Sequence, residues 1–160
     1  MKLAILSDTH GLLRPELFPW LDSVDRIVHA GDIGSVDILI ELEAFAPVAA
    51  VWGNTDGFAL RSRVPEVALR FWGGFEVTVL HGHQLGMPTP ERLVELHPEA
   101  GLLVFGHTHV PEIRRIGGTL AVNPGSCGYR RGHLLPTFVL ADLSPDGITT
   151  ELIEIPETQP

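Results

Sequence analysis

The sequence predicts an α/β protein built on mixed rather than purely parallel sheets. Two observations carry this. Short apolar runs rich in Val, Ile and Leu recur along the 160 residues, separated by Gly, Pro and Asp, a length and punctuation that favour strands over helices. Strands alternate with helical stretches early in the chain and hairpin-like strands follow later, the mark of a mixed system.

The elements follow in order. Residues 3–6 form the first strand and 15–21 the first helical stretch. A strand at 27–29 leads to a helix over 35–45, with Ser35 placed as its N-cap. After a strand at 48–52 come strands at 67–71 and 75–80, joined by Phe71-Trp-Gly-Gly-Phe75, which reads as a hairpin turn. A third helix spans 88–96, where Thr89 precedes a helix-favouring Pro-Glu-Arg start. Further strands lie at 102–105, 120–122, 138–141 and 148–155. Residues 1–155 read as one domain and 156–160 as a loose tail, with no repeat or linker between.

Composition narrows the function classes. A chain of this length buries a sizeable core, and 44% apolar against 19% charged residues argues against disorder. The formal charge of −9 leaves no basic footprint for nucleic acid. It does not exclude an anionic substrate if metal ions supply positive charge locally. Cys127 is the one cysteine, so no intramolecular disulfide forms and a reducing compartment is natural. The apolar N-terminal stretch is too short for a signal peptide, and no run approaches the ~18 residues of a membrane helix. The expectation is a soluble, cytoplasmic protein.

What ends each strand is more telling. Leu6 is followed by Ser-Asp8-Thr-His10, His29 by Ala-Gly-Asp32, and Trp52 by Gly-Asn54-Thr-Asp56. Leu80 is followed by His81-Gly-His83 and Phe105 by Gly-His107-Thr-His109. An Asp-x-His or Gly-Asp pair alone is an ordinary turn. Five successive strand ends bearing them are not, because ligands in layered α/β folds bind beyond the carboxyl ends of strands. On an extended backbone Asp8 and His10 point the same way. Imidazole and carboxylate suit zinc, iron and manganese. Asp8, His10, Asp32, Asn54, His81, His107 and His109 are too many donors for one tetrahedral site and suit two ions sharing a carboxylate, the clamp used in phosphoryl displacement. The adjoining glycines let the backbone turn sharply.

Asp8-x-His10, Gly31-Asp32, Gly53-Asn54-x-Asp56, His81-Gly82-His83 and Gly106-His107-x-His109 resemble, in this order, the five blocks of the calcineurin-like metallophosphoesterase superfamily. The short length and the later Asn123-Pro-Gly-Ser126 are similar to its small bacterial and archaeal phosphodiesterase branch. The resemblance runs from about Lys2 to Leu143. It implies a four-layer α/β/β/α sandwich, two mixed β-sheets face to face with helices outside. It also implies a phosphodiesterase acting on a small phosphoester with two divalent metal ions, manganese foremost, with zinc, iron or nickel as alternatives. Asp8, His10, Asp32 and His109 would hold one ion. Asp32, Asn54, His81 and His107 would hold the other, with Asp32 bridging and a hydroxide between the ions attacking phosphorus in line. Asn54 would also contact a phosphate oxygen. A homo-oligomer would suit the resemblance.

One departure matters. Many superfamily members carry a histidine after the metal-binding asparagine, thought to protonate the leaving group. Here that residue is Thr55, and the small branch lacks the histidine too. A general acid contributes ~10²–10⁴-fold, so the chain needs a leaving group that requires little help or a substitute acid, for which His83 and Asp56 are the candidates. Ser126, Arg130 and Arg131 sit where exposed N–H groups and a guanidinium fork would grip phosphate. His29 reads as a core or supporting histidine and Cys127 as a small buried residue. The rival readings are a phosphomonoesterase, a nuclease, or a metal-binding interaction scaffold like the small retromer subunit. That subunit shares the superfamily's fold with a degraded metal site, whereas this chain keeps all seven expected ligands. A metallo-β-lactamase-like hydrolase would need a His-x-His-x-Asp-His run, and none occurs.

Overall fold

In a computed structural model of the chain, residues 1–156 are described; of the tail expected over 156–160, all but the first residue lies outside them. The first half contains β1 (Lys2–Leu6), α1 (Phe18–Leu21), β2 (Arg26–His29), α2 (Val36–Glu43), β3 (Val48–Ala50), α3 (Phe58–Arg61), β4 (Val67–Trp72) and β5 (Phe75–Leu80). The second half contains α4 (Pro90–Leu96), β6 (Leu102–Val104), β7 (Glu112–Ile116), β8 (Thr119–Asn123), β9 (Thr137–Ser144) and β10 (Gly147–Glu154). The strands form two five-stranded mixed sheets, ordered β10-β9-β1-β2-β3 and β4-β5-β6-β8-β7.

Period-two alternation builds the layers. On β1, Leu3 and Ile5 enter a core between the sheets with Val28, Val77, Val79 and Leu102. Ala4 and Leu6 face the other way, onto Leu21 of α1 and Ile38, Leu39 and Leu42 of α2. On β6, Leu102 and Val104 join the core between the sheets, while Leu103 packs with Leu80, Phe105 and Leu93 of α4. Three cores thus separate four layers, helices, sheet, sheet and helix. Strands buried on both faces read as continuous apolar runs rather than alternating ones. Burying each such aliphatic side chain contributes roughly 1.5–3 kcal/mol.

β1, β2 and β3 run parallel, as do β5, β6 and β8. Within each sheet the carboxyl ends of these parallel strands therefore lie on one edge, where the loops bearing the candidate ligands emerge. Ser35 stands extended at the start of α2, although its side chain makes no capping bond. Thr89 does cap α4, its hydroxyl accepting the Arg92 N–H at 3.3 Å. The helix expected over 15–21 is a 3₁₀ turn, Pro15–Leu17, running into α1. Three elements lie outside the expectation: α3, β7 and a 3₁₀ turn at His83–Leu85. α3 has four residues, too few for a periodic signal. β7 is an edge strand, Glu-Ile-Arg-Arg-Ile, whose charges belong to a half-solvated edge and hide its apolar face. Among the described residues no helix is long and apolar enough to cross a membrane.

Candidate metal centre

β1 ends at Leu6 and the extended backbone ends with it. Asp8 and His10 have φ of 56° and 48°, so the strand-like alignment expected for them does not form. The reason lies in the neighbouring loop. The N–H groups of Asp8, His10 and Gly11 donate to the carbonyls of Gly31, Asp32 and Ile33 at 3.0, 2.9 and 2.8 Å. The side chains converge all the same: His10 Nε2 lies 3.7 Å from Asp8 Oδ1 and 3.9 Å from Asp32 Oδ2.

His109 completes this group. Ligand atoms of Asp8, His10, Asp32 and His109 all lie within 4.8 Å of one another. His109 Nε2 is 2.9 Å from Asp8 Oδ1 and 3.3 Å from His10 Nε2. Asp8 Oδ2 is held by the Ser7 hydroxyl at 2.5 Å and the His107 N–H at 3.2 Å. Asp8 Oδ1, by contrast, is buried and forms no hydrogen bond among the described residues, although His109 Nε2 faces it at 2.9 Å. A carboxylate oxygen in that position is costly, and a cation among these four side chains satisfies it together with the facing ring nitrogens. The donor set fits a divalent metal ion.

A second group adjoins it through Asp32. His81 Nδ1 lies 2.7 Å from the Ala30 carbonyl; a carbonyl only accepts, so Nδ1 carries the proton and the neutral ring keeps a lone pair on Nε2. That nitrogen faces Asn54 Oδ1 at 3.1 Å and Asp32 Oδ2 at 3.4 Å. Three electron-rich atoms meet there, and a carbonyl orienting a ligating imidazole is the usual support of a metal site. The His107 ring lies 5.2 Å from that of His81. Asp32 Oδ1 accepts the Thr55 N–H at 2.9 Å, which leaves Oδ2 aimed between His10 and His81. Burial works against the charge of Asp32, but His81 and the Thr55 N–H outweigh it and hold the carboxyl below its usual range. Burial likewise opposes charge on His81, yet Asp32 and Asp8 raise its pKa. For His10 burial prevails over the two aspartates and lowers it.

Two glycines matter for closeness rather than for turning. A Cβ on Gly53 would run into the Asp32 carboxylate, and one on Gly106 into the Ser7 hydroxyl and Asp8 carboxylate.

The other candidates differ in placement. Asp56 is buried and accepts the N–H groups of Ile33, Gly34 and Gly53 at 3.1, 2.9 and 2.9 Å. The His83 ring lies 5.4 Å from His81 and 5.3 Å from Trp52, whose face also carries the Arg61 guanidinium at 4.5 Å. Burial and the charge of His81 lower the His83 pKa. Ser126 is buried, its hydroxyl donating to the Asp8 carbonyl at 2.9 Å. Arg130 and Arg131 are exposed, and the charge of Arg131 reaches His10. Cys127 is buried against the Ser7 carbonyl, and burial pushes its thiol up to about 12.

His29 ties together the loops of Asp8 and Asp32. Thr9 Oγ1 donates to the Ile33 carbonyl at 2.9 Å and so receives the His29 Nε2 proton at 3.0 Å, while His29 Nδ1 accepts the Gly31 N–H at 3.2 Å. Ser7, which precedes Asp8, and Asn123, which opens the Asn123-Pro-Gly-Ser126 stretch, support candidate ligands, a role the sequence alone did not assign to either. Asn123 Nδ2 donates to the Gly106 carbonyl and Thr108 hydroxyl at 3.0 and 2.9 Å, steadying the His107–His109 loop.

Comparison with known proteins agrees with this architecture. Residues 1–146 match the family model of the calcineurin-like phosphoesterase superfamily domain. A probable metallophosphoesterase of Methanothermobacter thermautotrophicus is 39% identical over 137 residues, covering 79% of this chain and 77% of the relative. Phosphodiesterase MJ0936 of Methanocaldococcus jannaschii is 28% identical over 163 residues, covering 89% of this chain and 93% of the relative. Wild-type Vps29 of Entamoeba histolytica, solved in complex with zinc, superposes with a TM-score of 0.76 at 22% identity, covering 98% of this chain and all of that one, a likeness of fold.

Proposed function

This chain belongs to the calcineurin-like phosphoesterase superfamily, and on that premise we propose that it is a phosphodiesterase using two divalent metal ions on a small phosphoester. One observation carries the reading: Asp32 Oδ2 stands between two donor groups, 3.9 Å from His10 Nε2 and 3.4 Å from His81 Nε2. Asp8, His10, Asp32 and His109 hold one ion; Asp32, Asn54, His81 and His107 hold the other. When bound, the ions supply Lewis acidity to phosphoryl oxygens and lower the pKa of water. The imidazole and carboxylate donors suit manganese, zinc, iron or nickel.

The chain's own residues do the rest. Ser7 and the His107 N–H fix one oxygen of Asp8, leaving the other for metal. The Ala30 carbonyl fixes the tautomer of His81. Arg131, on the His10 side, grips a phosphoryl oxygen, with Arg130 beside it. His83, against the His81 and His107 rings, serves as proton donor to the leaving group in its protonated form, which burial and the charge of His81 make the minority form at neutral pH. Asp56 is set aside for that role because three N–H groups already occupy its oxygens. The single buried thiol suits a reducing cytoplasm.

The test is hydrolysis of an activated aryl phosphodiester beside the matching monoester. It uses metal-stripped protein with manganese, nickel, zinc or magnesium added back, and Asp32→Ala and His107→Ala as controls. Metal-restored diester turnover, lost in both variants, is expected. His83→Ala should lower kcat about 10²-fold on diesters with poor leaving groups and little on activated ones. Faster monoester turnover would make the protein a phosphomonoesterase. No turnover with any metal, despite tight binding of two ions, would make it a metal-binding scaffold.

A further inference from the structure

The loop carrying Asp32 is tied to its two neighbours in different ways. Toward Asp8 and His10 the tie is a backbone ladder, the three amide bonds to Gly31, Asp32 and Ile33, joined by the Thr9 hydroxyl, which donates to the Ile33 carbonyl at 2.9 Å. Toward Asn54 no backbone ladder exists among the described residues. Two carboxylates take its place. Asp32 Oδ1 accepts from Thr55 N–H at 2.9 Å. In return Asp56 accepts from Ile33 and Gly34 on the Asp32 loop, at 3.1 and 2.9 Å, and from Gly53, the residue before Asn54, at 2.9 Å. Its carboxylate therefore grips both loops, from a position only 2% exposed.

We infer that Asp56 is a positioning residue that sets Asn54 against Asp32 and so governs one metal site selectively. This rests on the two-metal reading above. A carboxylate only accepts, and bonds to its charge are the strong ones. One carboxylate oxygen accepts from Ile33 and Gly53 together and the other from Gly34, so a side-chain amide of the same shape turns its NH₂ group onto at least one N–H and disturbs the grip that spaces the two loops. The site of Asp32, Asn54, His81 and His107 then loosens at Asn54. The site of Asp8, His10, Asp32 and His109 keeps its backbone ladder.

The experiment is calorimetric titration of metal-stripped full-length protein with Mn²⁺, for the wild type, Asp56→Asn and Asp56→Ala. His10→Ala, titrated in parallel, assigns the two binding steps to the two sites. Thermal unfolding of each metal-free protein is recorded. The wild type should bind two ions. In Asp56→Asn the step shared with His10 should stay within about threefold, while the other weakens about 10–100-fold, the usual cost of losing a support to metal ligands. Such a split is not produced by general destabilisation, and retained binding at the His10 site certifies the fold. If Asp56→Ala does not fold, the volume-conserving Asp56→Asn carries the test. Equal weakening of both steps, or of neither, overturns the inference while leaving the two-metal reading intact. A wild-type chain that binds a single ion overturns both.

Discussion

Asp8, His10, Asp32, His107 and His109 have φ between 48° and 72°, and they are the non-glycine residues with positive φ among those described. All five are proposed ligands. A left-handed L-residue costs roughly 1–2 kcal/mol, so the site stores strain that the surrounding hydrogen bonds hold in place. His109→Gly should therefore exceed His109→Ala in stability by about 1 kcal/mol, since glycine tolerates that φ; urea unfolding of the metal-free variants checks this. His29 makes a second prediction. Burial, the largest cause, lowers its pKa from 6.5 to about 4, and a proton on Nδ1 would face the Gly31 N–H. The unfolded chain then binds more protons than the folded one between those values. The stability His29 confers is present above pH 6.5 and is lost as pH falls toward 4, by roughly 3 kcal/mol. Wild type and His29→Gln, compared by urea unfolding at pH 7 and 4.5, should differ less at the lower pH.

Elements show where local signals suffice. Gly73-Gly74 joins β4 to β5, with Trp72 opposite Phe75, and Gly117-Gly118 joins β7 to β8, with Ile116 opposite Thr119. The Gly-Gly turn is the same device. Only the first was legible, because Phe and Trp flank it, whereas Arg114 and Arg115 obscure β7. The end of β8 matters chemically through Asn123, whose amide also accepts the Gly125 N–H at 3.0 Å. Asn123→Ala would leave buried partners unsatisfied, at a cost of about 1–3 kcal/mol, and free the loop of His107 and His109. Thermal unfolding should fall and Mn²⁺ affinity weaken together in that variant.

At the scale of the molecule, the proposed ligands come from two sheets. Asp8, His10, Asp32 and Asn54 follow β1, β2 and β3, while His81, His107 and His109 follow β5 and β6. Bound metal should therefore clamp the sheets together. At metal concentrations ~100-fold above Kd each site adds about 2.7 kcal/mol, and about 1 kcal/mol moves the midpoint of a chain this size by roughly 2–4 °C. Scanning calorimetry should show Tm rising by about 5 °C or more on adding Mn²⁺, and Asp32→Ala should abolish most of the rise.

The sequence by itself determined the layered α/β class and the ligand candidates. Strand-length apolar runs have few alternatives, and Asp, Asn and His at five successive strand ends are a chemical signal readable without coordinates. It also marked Gly53 and Gly106 as glycines beside ligands, though for turning rather than for the close approach they serve. Tertiary structure alone decided that Asp8 and His10 are left-handed, that Asp32 directs one oxygen between two donor groups, and that Asp56 is locked by three amides. Apart from the Gly53 N–H on Asp56, these features depend on pairings between residues about 20 to 50 positions apart, and local propensity does not encode which distant N–H a carboxylate will meet.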